Sequence, residues 1–214
     1  DADGVLTTGV APFNVFARVA SGAMVQADME VENEALGPVH ASRFVVVANL
    51  AANDAHWESD DERWVGKASM GKRHRFLTTR DLSWRWFNVL AFGLDGDAAS
   101  LREAITTLEA MRDAAIAFAS ATPDWSPAHL GMFFHCFPHN SVQGLHLHLV
   151  DLRATGPTFE RMTYKNLSLS DVLLVLYDEV AAEKARAPTT SNQLLVVGGF
   201  FAMAGLLYDL KAFL

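Results

Sequence analysis

Residues 145–149 read Leu145-His146-Leu147-His148-Leu149, followed by Val150 and Asp151. Successive side chains of an extended chain point to opposite sides, so this run puts three leucines on one face and two imidazoles on the other. A helix would spread the same residues around its circumference. The leucines require a packed layer against them. The two imidazoles, two residues apart, then form one polar site on the opposite side of the same sheet.

The rest of the chain supplies partners for such a strand. A β-branched run at 43–50 reads as a buried strand, and 74–79, 86–92 and 130–137 read as three more. Between them, Leu101, Ile105, Leu108, Ala115 and Ile116 recur at helical spacing, which predicts a helix over 98–121. Asp97 is its expected N-cap, and Thr122-Pro123 its end. A second helix starts at Leu169 with Ser168 or Ser170 as cap. The stretch from Phe13 to Val31 opens with a short helix or a strand that Gly22 ends. Residues 51–75 are polar and charged, with Trp57 and Trp64 embedded, and form a long excursion without an assigned element. Strands, one long helix and then two more strands make an α+β fold with a mostly antiparallel sheet. The expected organisation is an N-terminal arm and insertion (1–69), a core (70–155), a helical extension and linker (156–192) and a hydrophobic C-terminal helix (193–214).

Half of the 214 residues are hydrophobic, which is enough for one sizeable core. The net charge of −8 argues against a broad phosphate-backbone footprint, so nucleic acid is not an expected partner. Cys136 is the one cysteine; it excludes a disulfide framework and a cysteine-based zinc cluster and reads as a buried thiol in an apolar strand. The sequence opens on Asp1 without a basic and then apolar leader, which fits either a processed form or a partial one. Residues 194–208 are uncharged and mostly apolar, with Gly198, Gly199 and Gly205 among them. A spanning helix needs about 20 residues. The two readings are a membrane helix after a flexible linker and a packed core helix, and the apolar side chains on all sides favour the first.

The segment Ser141-Val142-Gln143-Gly144-Leu145-His146-Leu147-His148-Leu149-Val150 resembles the hallmark of the histidine-triad (HIT) family, His-φ-His-φ-His-φ-φ with φ apolar, preceded by Ser-Val. The first histidine position holds Gly144. Upstream, the strand ending in Asp81 resembles the family's strand whose acidic residue contacts the nucleotide ribose. Residues 87–92 resemble the strand that follows, and the helix over 98–121 falls where the family has its long helix. The tail from Gly156 to Leu167 looks like an extension of some members. Where the family has Pro-Lys-x-His, this chain has Gly93-Leu94-Asp95-Gly96. Both departures bear on turnover more than on fold.

The resemblance implies a HIT-like antiparallel sheet with a long helix, and a nucleotide phosphohydrolase or nucleotidyl transferase. His146 would attack the α-phosphorus, and His148 and Ser141 would donate to phosphate oxygens; Asp81, Asn140 and Gly144 would contact a purine nucleotide, with no metal and no cofactor. The rival expectation is a HIT fold without turnover, an accessory subunit with protein partners in an organelle membrane assembly. Localisation is accordingly expected to be membrane-associated, with a cytoplasmic chain as the alternative. Asp81 reads equally as a turn carboxylate. His135 and His139 read as strand-end histidines, with replacement of the missing imidazole in space as the alternative. His40, His56, His74 and His129 lack ligand spacing and read as solvated or packing residues, Trp84 and Trp86 as packing, and Lys72-Arg73-His74-Arg75 as a solvated basic turn.

Overall fold

A computed structural model describes residues 14–83, 86–94, 97–140 and 142–186, together with the backbone of 7–8 and 11–12. In chain order the elements are β1 (Thr7–Thr8), β2 (Ala11–Pro12), α1 (Val15–Ala20), α2 (Met29–Glu34), α3 (Gly37–Ala41), β3 (Phe44–Ala48), α4 (Ala51–Ala55), β4 (His74–Thr79), α5 (Ala98–Ala121), β5 (Leu130–Phe134), β6 (His146–Asp151), α6 (Pro157–Arg161), β7 (Leu167–Ser168) and α7 (Leu169–Arg186). The chain divides into two units, Asp1–Leu176 and Tyr177–Leu214. In the second, the described part is the helical stretch 177–186, the C-terminal portion of α7.

Within the first unit five strands form one antiparallel sheet in the order β3-β4-β6-β5-β7. Phe76 of β4 and Phe133 of β5 both lie opposite His148, and Thr78 lies opposite His146. Side chains opposite one another share a face. One face therefore carries Val45, Val47, His74, Phe76, Thr78, His146 and His148; the other carries Phe44, Val46, Leu77, Leu147 and Leu149. Leu77, Leu147 and Leu149 have no exposed surface. The long helix α5, with Asp97 accepting from Ala99 N–H at 3.0 Å as its cap, lies against β5 and buries Leu108, Met111 and Phe118 completely. On the histidine side, α1 packs Phe16, Val19 and Ala20 with Val45 and Val47.

β3 is an edge strand, and side-chain amides take the place of a further strand. Val46 donates to Asn33 Oδ1 (2.9 Å) and accepts from its Nδ2 (3.2 Å); Ala48 does the same with Gln26 (2.9 and 3.0 Å). Residues 51–75 dock on 154–158 through Lys72 N–H to the Ala154 carbonyl (2.8 Å), Gly156 N–H to the Met70 carbonyl (3.0 Å) and Gly66 N–H to Thr158 Oγ1 (3.2 Å). A Cβ on Gly71 would stand 2.6 Å from the Ala154 carbonyl oxygen, so the approach requires glycine.

Three expectations are corrected. Residues 86–92 do not form a strand: Asn88 accepts from Leu90 N–H at 3.0 Å and caps a single 3-10 turn, Val89–Ala91, which ends near Gly93 at φ +74°. Only Trp86 and Phe87 reach the sheet segment, their carbonyls accepting from Leu145 (2.7 Å) and Gly144 (2.9 Å). The basic stretch at 72–75 is not simply a solvated turn, since Arg73 pairs with the buried Asp151 at 2.8 Å and Arg75 with Glu32 at 2.7 Å. The membrane helix is the third: among the described residues no helix is long and apolar enough to cross a membrane. The run 193–214 on which that expectation rested lies outside the described residues.

Candidate functional site

His146 and His148 project from the same face of β6, with ring centroids 5.2 Å apart. Both are almost wholly buried, at 7% and 6% exposed. Their surroundings are aromatic and polar. Phe16 of α1 stacks on His146 (centroids 4.4 Å apart), and Phe76 meets both imidazoles edge-on at 5.9 and 5.0 Å. His74, from the neighbouring strand β4, and His135, just beyond β5, complete a cluster of four imidazoles around His148: their centroids lie 5.2 and 3.9 Å from its ring.

Hydrogen bonds fix where the protons sit. The backbone N–H of Met70 can only donate, and it reaches His74 Nδ1 at 3.2 Å. The proton of neutral His74 is therefore on Nε2, which donates to His148 Nδ1 at 3.1 Å. That acceptance leaves the proton of His148 on its own Nε2, a buried atom with no hydrogen-bond partner among the described residues. Buried polar groups are ordinarily paired, and an orphan costs about 1–3 kcal/mol, so an unpaired buried donor needs an explanation. His146 is tied the other way. Its Nδ1 donates to the Gly144 carbonyl at 2.7 Å, which leaves the Nε2 lone pair for another use.

Burial holds all four imidazoles in the neutral form. His146 is pushed down to about 4, with its bond to Gly144 opposing the shift, and His74 down to about 3. His148 lies well below the usual histidine range for the same reason, with His135 next in effect, and burial also lowers His135.

The loop before β6 explains Gly144. Its φ of +128° favours glycine, so a histidine there would be strained, and its two backbone polar groups serve the Phe87 carbonyl and His146. Asn14 joins this loop to α1: its Oδ1 caps the helix at Ala17 N–H (2.9 Å) while its Nδ2 donates to the Gln143 carbonyl (2.5 Å). One side chain thereby sets Phe16 over His146 and the Gly144 carbonyl under it.

The remaining sequence candidates fall as follows. Asn140 pairs with the Gln143 amide (3.0 and 3.2 Å) and donates to the Val142 carbonyl (3.1 Å), so it shapes the loop. Asp81 lies in the turn after β4, accepting from Trp86 Nε1 at 2.7 Å and Ser83 N–H at 2.9 Å. Ser141 lies outside the described residues. His139 meets Tyr164 edge-on at 5.2 Å. His74 is corrected: it is no solvated or generic packing residue but 4% exposed and bonded to His148. Sequence reasoning also missed Met70, whose amide orients His74, and Asn166, whose Oδ1 accepts from His135 Nε2 at 2.8 Å. The signal available for His74 was its phase on β4, on the face that carries Phe76.

Among the described residues no three His, Cys, Asp or Glu side chains converge to hold a metal ion. The arrangement offers one imidazole lone pair and, beside it, one oriented imidazole N–H. Compared with known protein families, curated proteins and solved structures, the chain matches none.

Proposed function

We propose that this chain binds a nucleotide at the histidine face and transfers or hydrolyses its nucleotidyl group through His146. The observation that carries this reading is the pair of opposite tautomers on one strand face. His146, with Nδ1 held by the Gly144 carbonyl, keeps a lone pair on Nε2 and is neutral at pH 7. His148, with Nδ1 occupied by His74, presents Nε2–H as a donor that no group among the described residues takes. A lone pair beside a dry N–H donor suits attack on phosphorus while charge on a phosphate oxygen is stabilised. A purine nucleotide is the proposed ligand, on the histidine-triad resemblance of 141–150.

The test is release of nucleoside monophosphate from dinucleoside polyphosphates and from nucleoside phosphoramidates. His146→Ala is expected to reduce it to the rate in buffer, and His148→Ala to slow it by an amount equivalent to about 3 kcal/mol. A fully active His146→Ala protein sinks the mechanism.

A second reading, a nucleotide-binding or accessory protein without turnover, has its own observation. Phe16 stacks on His146 at 4.4 Å, and the position of a third triad imidazole is a glycine at φ +128°. Wild-type rates equal to buffer, with nucleotide still bound, would favour it.

A further inference from the structure

Between α2 and α3 lies an open groove of about 520 Å³ that shares no lining residue with the imidazole cluster. That size is within the roughly 300–1,000 Å³ of ordinary ligand sites. Val25, Met29, Pro38 and Ala41 give it apolar walls, and Val25 is 77% exposed. Glu30, Glu34 and Arg80 give it charge.

None of these three charges is neutralised. Glu30 and Glu34 stand one helical turn apart on α2 and form no ion pair among the described residues, whereas Glu32 between them pairs with Arg75. Carboxylates at that spacing repel, and Glu34 closes the helix at its carbonyl end, where negative charge is disfavoured. α2 carries no basic residue to offset them. Arg80 is half-buried and directs its guanidinium at backbone carbonyls: Nε donates to Ala41 (2.8 Å) and Nη1 to Ala20 (3.4 Å). Arg73 and Arg75, also half-buried, each hold a carboxylate. Arg80 holds none among the described residues, although two glutamates line the same groove.

An occupant that answers all three charges carries cations for the glutamates, an acid for Arg80 and apolar side chains for the walls. An extended peptide would need an open strand edge. Next to α2 that edge is closed, because Val46 and Ala48 of β3 already bond to Asn33 and Gln26. A helix satisfies its own backbone and presents side chains three and four positions apart on one face. The net charge of −8 adds attraction for a basic segment.

We infer that this groove docks a basic amphipathic helix of a partner protein. Its leucine-like side chains lie on Val25 and Met29, its lysines or arginines meet Glu30 and Glu34, and a carboxylate meets Arg80. The inference goes beyond the nucleotidyl reading and does not depend on it.

The test is a titration of the full chain with a synthetic helix, followed by methyl NMR. The probe is a peptide of about 18 residues, long enough to be helical, of leucine, alanine and lysine at helical spacing with a glutamate near each end. Shifts are expected at the methyls of Val25, Met29 and Ala41. The double variant Glu30→Gln/Glu34→Gln should weaken binding about 2- to 30-fold, the range for two exposed ion pairs, and added salt should weaken it in the wild type. Replacing the peptide's glutamates with glutamine should weaken it again, and replacing its leucines with serine should abolish it. Thermal melts establish that the double variant is folded, and Val25→Ser, at an exposed position, is the second variant if it is not. Shifts spread over other surfaces, no shift at about 1 mM peptide, or an affinity unchanged in the folded variants overturns the inference. So does sedimentation of the chain alone as a dimer that the double variant dissolves, since the groove's occupant is then a second copy.

Discussion

The two faces of β6 are equally dry and differently held. Leu147 and Leu149 show no exposed surface; His146 and His148 show 7% and 6%. On the leucine face burial is its own reward, since apolar area leaves water and no polar group is stranded. On the histidine face each ring nitrogen must be accounted for. The accounting closes at His74 and at His146 Nδ1 but fails at His148 Nε2. A core of apolar side chains can be complete within one chain. On the imidazole face one ring nitrogen, His148 Nε2, is buried without a hydrogen-bond partner among the described residues.

Three further measurements break or sharpen this contrast. The largest effect belongs to the leucine face. Leu147→Ala should lower the free energy of unfolding by about 2–5 kcal/mol, from lost transfer energy and the cavity left behind. Denaturant titration reads it, and a loss below about 1 kcal/mol would mean that this face is not packed.

Next comes acid. The folded chain keeps His74 and His146 neutral, with values near 3 and 4, whereas in the unfolded chain histidines titrate near 6.5. Below that pH the unfolded state binds more protons, so stability is full above about 6.5 and is lost as pH falls toward 4. The slope is about 1.4 kcal/mol per pH unit for each histidine held fully neutral. Asp151 works in a separate and lower window: Arg153, then Arg73, hold its carboxyl near 2, so its contribution disappears only between the ordinary carboxylate range and that value. Unfolding midpoints at pH 7, 6 and 5 in the wild type and in His146→Leu test the assignment. An identical slope in the two proteins would place the effect elsewhere.

The smallest effect on stability is expected from Asn14→Ala, about 1 kcal/mol for a lost cap. Its effect on nucleotide affinity should be larger than that figure suggests, because Asn14 also holds the Gln143 carbonyl and, through α1, Phe16 over His146. Equal losses in stability and in binding free energy would reduce Asn14 to a cap alone.

The parts of this architecture readable from sequence are those with short-range periodicity. Alternation in 145–149, the β-branched run that became β3, the helical spacing of α5 and the cap at Asp97 all depend on neighbours in the chain. His74 was not readable in the same way. Its partner is 74 residues away, and the contact exists only because β4 and β6 pair with Phe76 opposite His148. Met70 and Asn166 were hidden for the same reason: one acts through a backbone amide, the other through a register one pair beyond β5 and β7. The expected strand at 86–92 failed on a local competition, in which the Asn88 side chain satisfied the Leu90 amide and turned the chain.

The border of the sheet at β3 has a consequence for assembly. Gln26 and Asn33 each offer β3 the donor and acceptor that a neighbouring strand would offer, on alternate residues and with strand-like spacing. An incoming strand, whether a second copy or an unfolded neighbour, meets carboxamides already seated where its own backbone would dock. The sheet is thereby stopped on that side without a proline, a bulge or a lysine. Removing both amides would turn a finished margin into an open template.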